Sequence, residues 1–346
     1  MTTIRARVSA IHRSVIELLA GDHHEQRTIS ASLSPALRRV DNPLERPTVG
    51  DWVSAHQLDE NSWRIDAVEP RRSCLVRRAA GSDAEPQPLA ANVDLALLFA
   101  PLPDDVNAKR LVRLAALAWE GGAHPLVVLS RADLVTRDVL DSTRREVARA
   151  CPGVSIVATA NIEGGLDELA PWLTPGCTIV MLGPSGAGKT TLVNALSQQS
   201  AAQSGTGLGS HAAPMRTGAK SADGHGRHTT THRALVPLGR GITLIDTPGL
   251  REVGLLSGTD GVDRAFAEIT ELATQCRFGD CTHDREPGCA VQASLSDGAL
   301  DPARFAHWQE LQREAAHAER SIAEQRRHER RGSLMVRQFM KQRKQQ

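Results

Sequence analysis

The chain has 346 residues, 40% of them hydrophobic, and a formal net charge of +1. That length suits two or three domains with buried cores, and the near-zero charge argues against a uniformly basic nucleic-acid binder. The opening "MTTIRARVSAIHRSVIELLAG" does not read as a signal peptide, and no stretch reaches the roughly 18–20 apolar residues of a membrane helix, so the expectation is a cytoplasmic protein without membrane contact.

Residues 3–11, 13–19, 27–33, 50–57 and 62–69 read as short β-rich segments divided by charged or Gly/Pro stretches. They predict a small barrel over residues 1–76. An OB-fold is the commonest barrel of this size and many examples bind nucleic acid; an SH3-like barrel would share the pattern. "RRAAGSDAEPQPLA", 77–90, is a linker by composition.

From 91 to 262 buried strands alternate with amphipathic helices: "NVDLALLFA", "AKRLVRLAALAWEGG", "HPLVVLS", "VLDSTRREVARAC", "VSIVATA", "LDELAPWL", "CTIVMLG". This rhythm predicts an α/β domain with a parallel sheet and ligands at the carboxyl ends of its strands. Ser130-Arg131-Ala132-Asp133 stands where a GTPase carries its guanine-reading N-K-x-D. Asp133 retains the carboxylate that accepts from the ring N1 and exocyclic amine, Arg131 can lie over the ring, and Ser130 is shorter than Asn. "ATAN", 158–161, stands where a backbone N–H toward the guanine O6 is expected.

Gly183, Pro184, Ser185, Gly186, Ala187, Gly188, Lys189, Thr190 and Thr191 fit the P-loop pattern between an apolar strand and a helix. Glycines there let backbone N–H groups approach phosphate oxygens at a helix N-terminus. Lys189 would reach the β- and γ-phosphates and Thr190 would ligate Mg²⁺. Residues 201–226 are Gly-, Ser- and Ala-rich and predict a mobile functional loop. In "GRHTTTHRAL", Thr229, Thr230 and Thr231 are candidates for a switch threonine, Thr230 first, and His228 or His232 for orienting water. "LIDTPGL" adds Asp246 for the Mg²⁺ shell and Gly249 for the γ-phosphate, followed by Leu250 where many GTPases have Gln.

Residues 262–275 and 301–331 read as helices. Between them Cys276, Cys281, His283 and Cys289 form C-x₄-C-x-H-x₅-C, a closed donor set for one structural Zn²⁺. From Arg326 to Gln346 the tail holds eight basic residues against Glu329; such a block is a solvated end or an RNA contact.

The base clamp precedes the phosphate cradle, the reverse of an ordinary GTPase. Joining the ends of a GTPase sheet and cutting it elsewhere gives this order while leaving the folded site intact. With "PTVGDWV", "EPRRSCLVRRAAG", "AANVDLALLF", "GPSGAGKTTLVNAL", "GRHTTTHRAL", "DTPGLRE" and "EPGCAV" in this order, the chain resembles the bacterial small-subunit-dependent GTPase family RsgA, also called YjeQ. Ser130 and Arg131 depart from its base clamp.

The resemblance implies an N-terminal OB domain, a circularly permuted P-loop GTPase and a C-terminal helical zinc-binding domain with a basic tail (263–346). It implies GTP hydrolysis to GDP in late maturation of the small ribosomal subunit, nucleotide-dependent rRNA binding and turnover stimulated by that subunit, by a monomer. The alternative is an RNA-binding assembly factor for which GTP or GDP is a regulatory ligand with negligible hydrolysis. Asp133 disfavours an ATPase or small-molecule kinase.

Overall fold

The computed structural model describes residues 2–12, 15–21, 27–60, 62–78, 86–103, 105–160, 165–204, 234–239, 241–246 and 260–316. His228, Thr230, Gly249, Leu250, residues 205–226 and the basic tail lie outside the described residues.

β1 (Thr3–Ile11), β2 (Ile16–Ala20), β3 (Arg27–Leu33), β4 (Trp52–Gln57) and β5 (Trp63–Val68) close into a barrel in the order β1-β2-β3-β5-β4, with β4 returning to β1. Only β3 and β5 pair in parallel, as in an OB-fold. Alternation along each strand turns Ala6, Val8, Leu18, Val53 and Ile65 into the barrel core, where they are wholly buried. Helix α1 (Pro35–Arg38) follows β3, capped by the Ser34 hydroxyl.

β6 (Cys74–Arg78) and β7 (Pro86–Ala91) form an antiparallel pair. The expected linker over 77–90 is therefore corrected: 77–78 and 86–90 are ladder backbone. Leu89 and Ala90 are buried, and the apolar area they remove from water outweighs a loop-like composition.

The α/β unit runs β8 (Leu95–Pro101), α2 (Ala108–Glu120), β9 (His124–Ser130), α3 (Arg137–Ala150), β10 (Ser155–Thr159), β11 (Thr178–Leu182), α4 (Lys189–Ser204), β12 (Ala234–Gly239) and β13 (Ile242–Asp246). Its sheet order is β10-β9-β8-β11-β13-β12, parallel except at β12. β8 is buried on both faces: Ala96, Leu98 and Ala100 join the core under α2, whereas Leu95, Leu97 and Phe99 join the core under α4. The chain reverses its direction across the sheet between β8 and β11, which opens a crevice at their carboxyl ends.

Two sequence expectations change here. "LDELAPWL" forms turns and a short 3₁₀ segment, Ala170–Trp172, because Pro171 has no N–H to propagate a helix. α4 extends to Ser204, so residues 201–204 are helical.

The barrel meets the α/β sheet through backbone and side chains. Ala10 of β1 pairs with Ala234 of β12, which pairs with Asp246 of β13. Arg7 donates to the Thr178 hydroxyl (2.8 Å) and the Gly50 carbonyl (3.1 Å). Gly50 has φ of +95°, and a Cβ there would lie 2.2 Å from the Ala91 carbonyl oxygen and 2.7 Å from Ile245 Cδ1; only glycine fits. Buried Asp51 accepts from Arg71 Nε (2.7 Å) and Nη2 (2.8 Å), which ties "PTVGDWV" to "EPRRSC".

The C-terminal part comprises α5 (Asp260–Ala265), α6 (Ala267–Ala273), α7 (Ala290–Ser296) and α8 (302–316). The single helix expected over 262–275 breaks at buried Phe266, whose φ and ψ are −128° and 43°. This part docks on the α/β unit through Arg113 to Glu314 (2.6 Å) and through Arg304, which donates to the Ala150 carbonyl of α3 and, within the C-terminal part, to the Ala265 carbonyl, both at 2.6 Å.

Candidate nucleotide site and metal centre

β8, β9 and β10 end in register, with Pro101 beside Ser130 and Ser130 beside Thr159. This aligned rim brings residues from distant segments to one cavity of about 450 Å³, lined by Ser130, Arg131 and Asp133 on one side and by residues 185–191 on the other. Thr159, Ala160, Leu166, Leu192 and Ala195 complete the wall. The two stretches that stand in reversed order along the chain thus share one concavity.

Ser130 is buried at the end of β9, and its hydroxyl donates to the Ala187 carbonyl at 2.7 Å. Arg131 adopts a left-handed backbone (φ 60°, ψ 37°), an uncommon conformation for a side chain of this size. It starts the 3₁₀ turn Ala132–Leu134, which carries Asp133, and its guanidinium donates to the Gly186 carbonyl. The loop of residues 130–133 is therefore hydrogen-bonded to the Gly-rich loop at two places.

Gly183 leaves β11 with φ of +145°, and a Cβ would sit 2.9 Å from both Cβ and the carbonyl oxygen of Phe99. Glycine lets the loop pass over β8 before α4 starts at Lys189. Lys189 Nζ donates to the carbonyls of Gly183 (2.8 Å) and Pro184 (2.6 Å), which keeps its ammonium inside the loop. At the end of β13, burial raises the pKa of Asp246, and Lys189 pulls it down. Lys189 and Asp246 are thus close enough for their charges to interact, and a cation with a carboxylate is a donor set suited to phosphate and Mg²⁺.

Thr159 and Ala160 come from the "ATAN" signal; Leu166 and Ala195 carried none, being apolar residues placed by tertiary packing alone. His228, Thr230 and Gly249 lie outside the described residues.

The second constellation joins α6 to α7. Ligand atoms of Cys276, Cys281, His283 and Cys289 all lie within 4.8 Å of one another. Cys276 and Cys289 sulfurs are 3.8 Å apart, and His283 Nδ1 lies 3.6 and 3.5 Å from them. A tetrahedral Zn²⁺ with ordinary Zn–S and Zn–N bonds has edges of roughly 3.5–3.8 Å, so Cys276, His283 and Cys289 fit that ion, with the Cys281 sulfur within 4.8 Å of them as the fourth donor. Gln292 Nε2 donates to the His283 carbonyl at 2.6 Å. Glu286 accepts from the N–H groups of Thr282, Asp284 and Arg285 and from the Thr282 hydroxyl. Those hydrogen bonds, with Thr282 foremost, hold its carboxyl down to about 2.

Residues 68–256 match the family model described as RsgA GTPase. The small ribosomal subunit biogenesis GTPase RsgA of Opitutus terrae is 41% identical over 329 residues, covering 92% of this chain and 85% of that protein. Its counterpart in Streptomyces coelicolor is 45% identical over 275 residues, covering 79% and 71% respectively. Among solved structures, YjeQ from Thermotoga maritima superposes with a TM-score of 0.64 at 23% identity, covering 91% of this chain and 99% of that one. YloQ, a circularly permuted GTPase, gives 0.61 at 20% identity, covering 91% and 96%.

Proposed function

The chain belongs to the RsgA GTPase family, and on that premise we propose that it hydrolyses GTP while bound to the maturing small ribosomal subunit, whose contact stimulates turnover and whose release follows the nucleotide state. The observation that carries this reading is the single cavity shared by the Asp133 loop and the Gly-rich turn. The relatives named for small-subunit biogenesis support the partner.

In this reading Asp133 accepts from guanine N1 and the 2-amino group, Arg131 covers a ring face, and Ser130 and Ala132 set the height of that loop. The backbone N–H groups of Gly183, of residues 185–188 and of Thr190 and Thr191 receive the phosphates, Pro184 shaping the turn without a donor of its own. Lys189 turns from its carbonyl partners to the γ-phosphate and stabilises charge as water attacks in line. Mg²⁺, held by Thr190, Asp246 and Thr230, would neutralise charge on the phosphate oxygens. Gly249 offers a backbone N–H to the γ-phosphate, and His228 orients water; both roles, like that of Thr230, rest on sequence position. Cys276, Cys281, His283 and Cys289 would hold one structural Zn²⁺, and their shared ligation would fix the loop between α6 and α7.

The barrel, the metal loop and the basic tail would contact rRNA, with salt-sensitive affinity. The protein would act as a cytoplasmic monomer. Among the described residues no helix is long and apolar enough to cross a membrane.

Steady-state GTP turnover measured with and without purified small subunits tests the proposal. Stimulation is expected. Turnover that stays at its basal rate while subunits still bind would favour the regulatory-ligand alternative.

A further inference from the structure

Among the described residues β10 is the outermost strand of the α/β sheet, paired only with β9. Beyond its end, Thr159 and Ala160 line the nucleotide cavity, and so does Leu166 on the returning segment. The Ala160 N–H donates to the Gly165 carbonyl at 2.9 Å and closes this turn at its base.

A strand with one neighbour has outward N–H groups to satisfy. Here the Ala158 N–H donates to Glu168 Oε2 at 2.8 Å. Arg144 of α3 donates to both Glu168 oxygens at 2.6 Å, and its other terminal nitrogen reaches the Ile156 carbonyl at 3.5 Å. One carboxylate therefore joins the strand end, the returning segment and the neighbouring helix. Burial acts to raise its pKa, but the hydrogen bonds from Arg144 and Ala158 outweigh it and leave the group ionised at neutral pH.

We propose that Glu168, oriented by Arg144, is a positioning residue for nucleotide selectivity: it fixes the end of β10 so that the Ala160 N–H, which closes onto the Gly165 carbonyl in this structure, stands where it can turn to the O6 of a bound purine. It touches no reacting atom. Asp133 reads the opposite, N1 and 2-amino side, so the two contacts separate by ligand chemistry. The inference rests on the reading of the cavity as a guanine-nucleotide site.

The test is competition of GTP, ITP and ATP against a fluorescent GDP analogue on the full-length chain. ITP keeps O6 and lacks the 2-amino group; ATP lacks O6. In Glu168→Ala, affinity for GTP and ITP should fall together by roughly tenfold, the size of one charge-assisted hydrogen bond, with the GTP-to-ITP ratio kept and the GTP-to-ATP ratio lowered. Asp133→Ala should instead collapse the GTP-to-ITP ratio. Glu168→Gln, which keeps an acceptor for Ala158, should restore most of the GTP-to-ATP ratio and guards against a folding defect in the alanine variant. An unchanged GTP-to-ATP ratio in Glu168→Ala, or an equal loss for all three nucleotides, would overturn the inference. Failure of the unmodified chain to prefer guanine nucleotides would instead sink the reading of the cavity.

Discussion

The Ser130 hydroxyl donates to the Ala187 carbonyl across 2.7 Å and fastens the end of β9 to the Gly-rich loop from inside the protein. Both residues are buried at the edge of the cavity, so removing the donor leaves the Ala187 carbonyl without its partner. Ser130→Ala should cost about 1–2 kcal/mol of stability and weaken GTP and GDP alike, by up to roughly tenfold. Thermal melting with nucleotide titration checks this; unchanged binding would mean that the two loops hold their spacing without the hydroxyl.

Lys189 is already held among carbonyls of the loop it serves. Lys189→Ala should lower kcat roughly 10²–10³-fold, the usual effect of deleting one group that stabilises transition-state charge, while the melting temperature changes little. Single-turnover hydrolysis with bound GTP is the measurement, and turnover equal to that of the parent chain would refute the assignment.

Cys281→Ser removes one of four donors from a closed set. Bound zinc should drop from one per chain toward none, and the loop between α6 and α7 should lose order while the barrel and the α/β sheet keep theirs. Metal analysis paired with hydrogen exchange distinguishes this from global unfolding. Full zinc occupancy in the variant would displace Cys281 from the ligand set.

Gly50→Ala tests the joint between barrel and sheet. The added methyl would have to occupy space already filled by the Ala91 carbonyl and the Ile245 side chain, in a left-handed backbone. A loss of about 3 kcal/mol or more is expected, read by chemical denaturation.

His307 of α8 packs edge-on against Phe266, with ring centroids 5.6 Å apart. Burial lowers its pKa, Lys109, Arg113 and Arg304 lower it further, and Glu310 opposes them. The unfolded chain therefore takes up this proton first as pH falls. Stability contributed at neutral pH should begin to decline below about pH 6.5 and level off once the folded state is protonated too. His307→Phe should flatten that part of the profile.

The barrel was readable because each strand alternates buried and exposed residues, and the Gly-rich turn and the metal ligands were readable because each group is contiguous in the chain. The meeting of the Gly-rich turn with residues 130–133 had to be inferred from the rule that such sheets bind ligands at their carboxyl ends. Leu166, Glu168 and Arg144 escaped notice because their roles depend on contacts across ten or more residues, which no local pattern marks. The same limit explains β7, where proline and alanine suggest a loop until a neighbouring strand claims the backbone, and the interrupted helix at Phe266, whose burial overrides helical periodicity.

The pairing of Ala10 with Ala234 has a bearing on solubility. β12 is the last strand of the α/β sheet, and an uncovered outer strand invites association with other chains. The barrel occupies that margin and shields it at this point. A fragment starting after residue 70 would retain every residue that lines the cavity yet present β12 bare to its neighbours, so self-association is the hazard to expect of the isolated α/β unit.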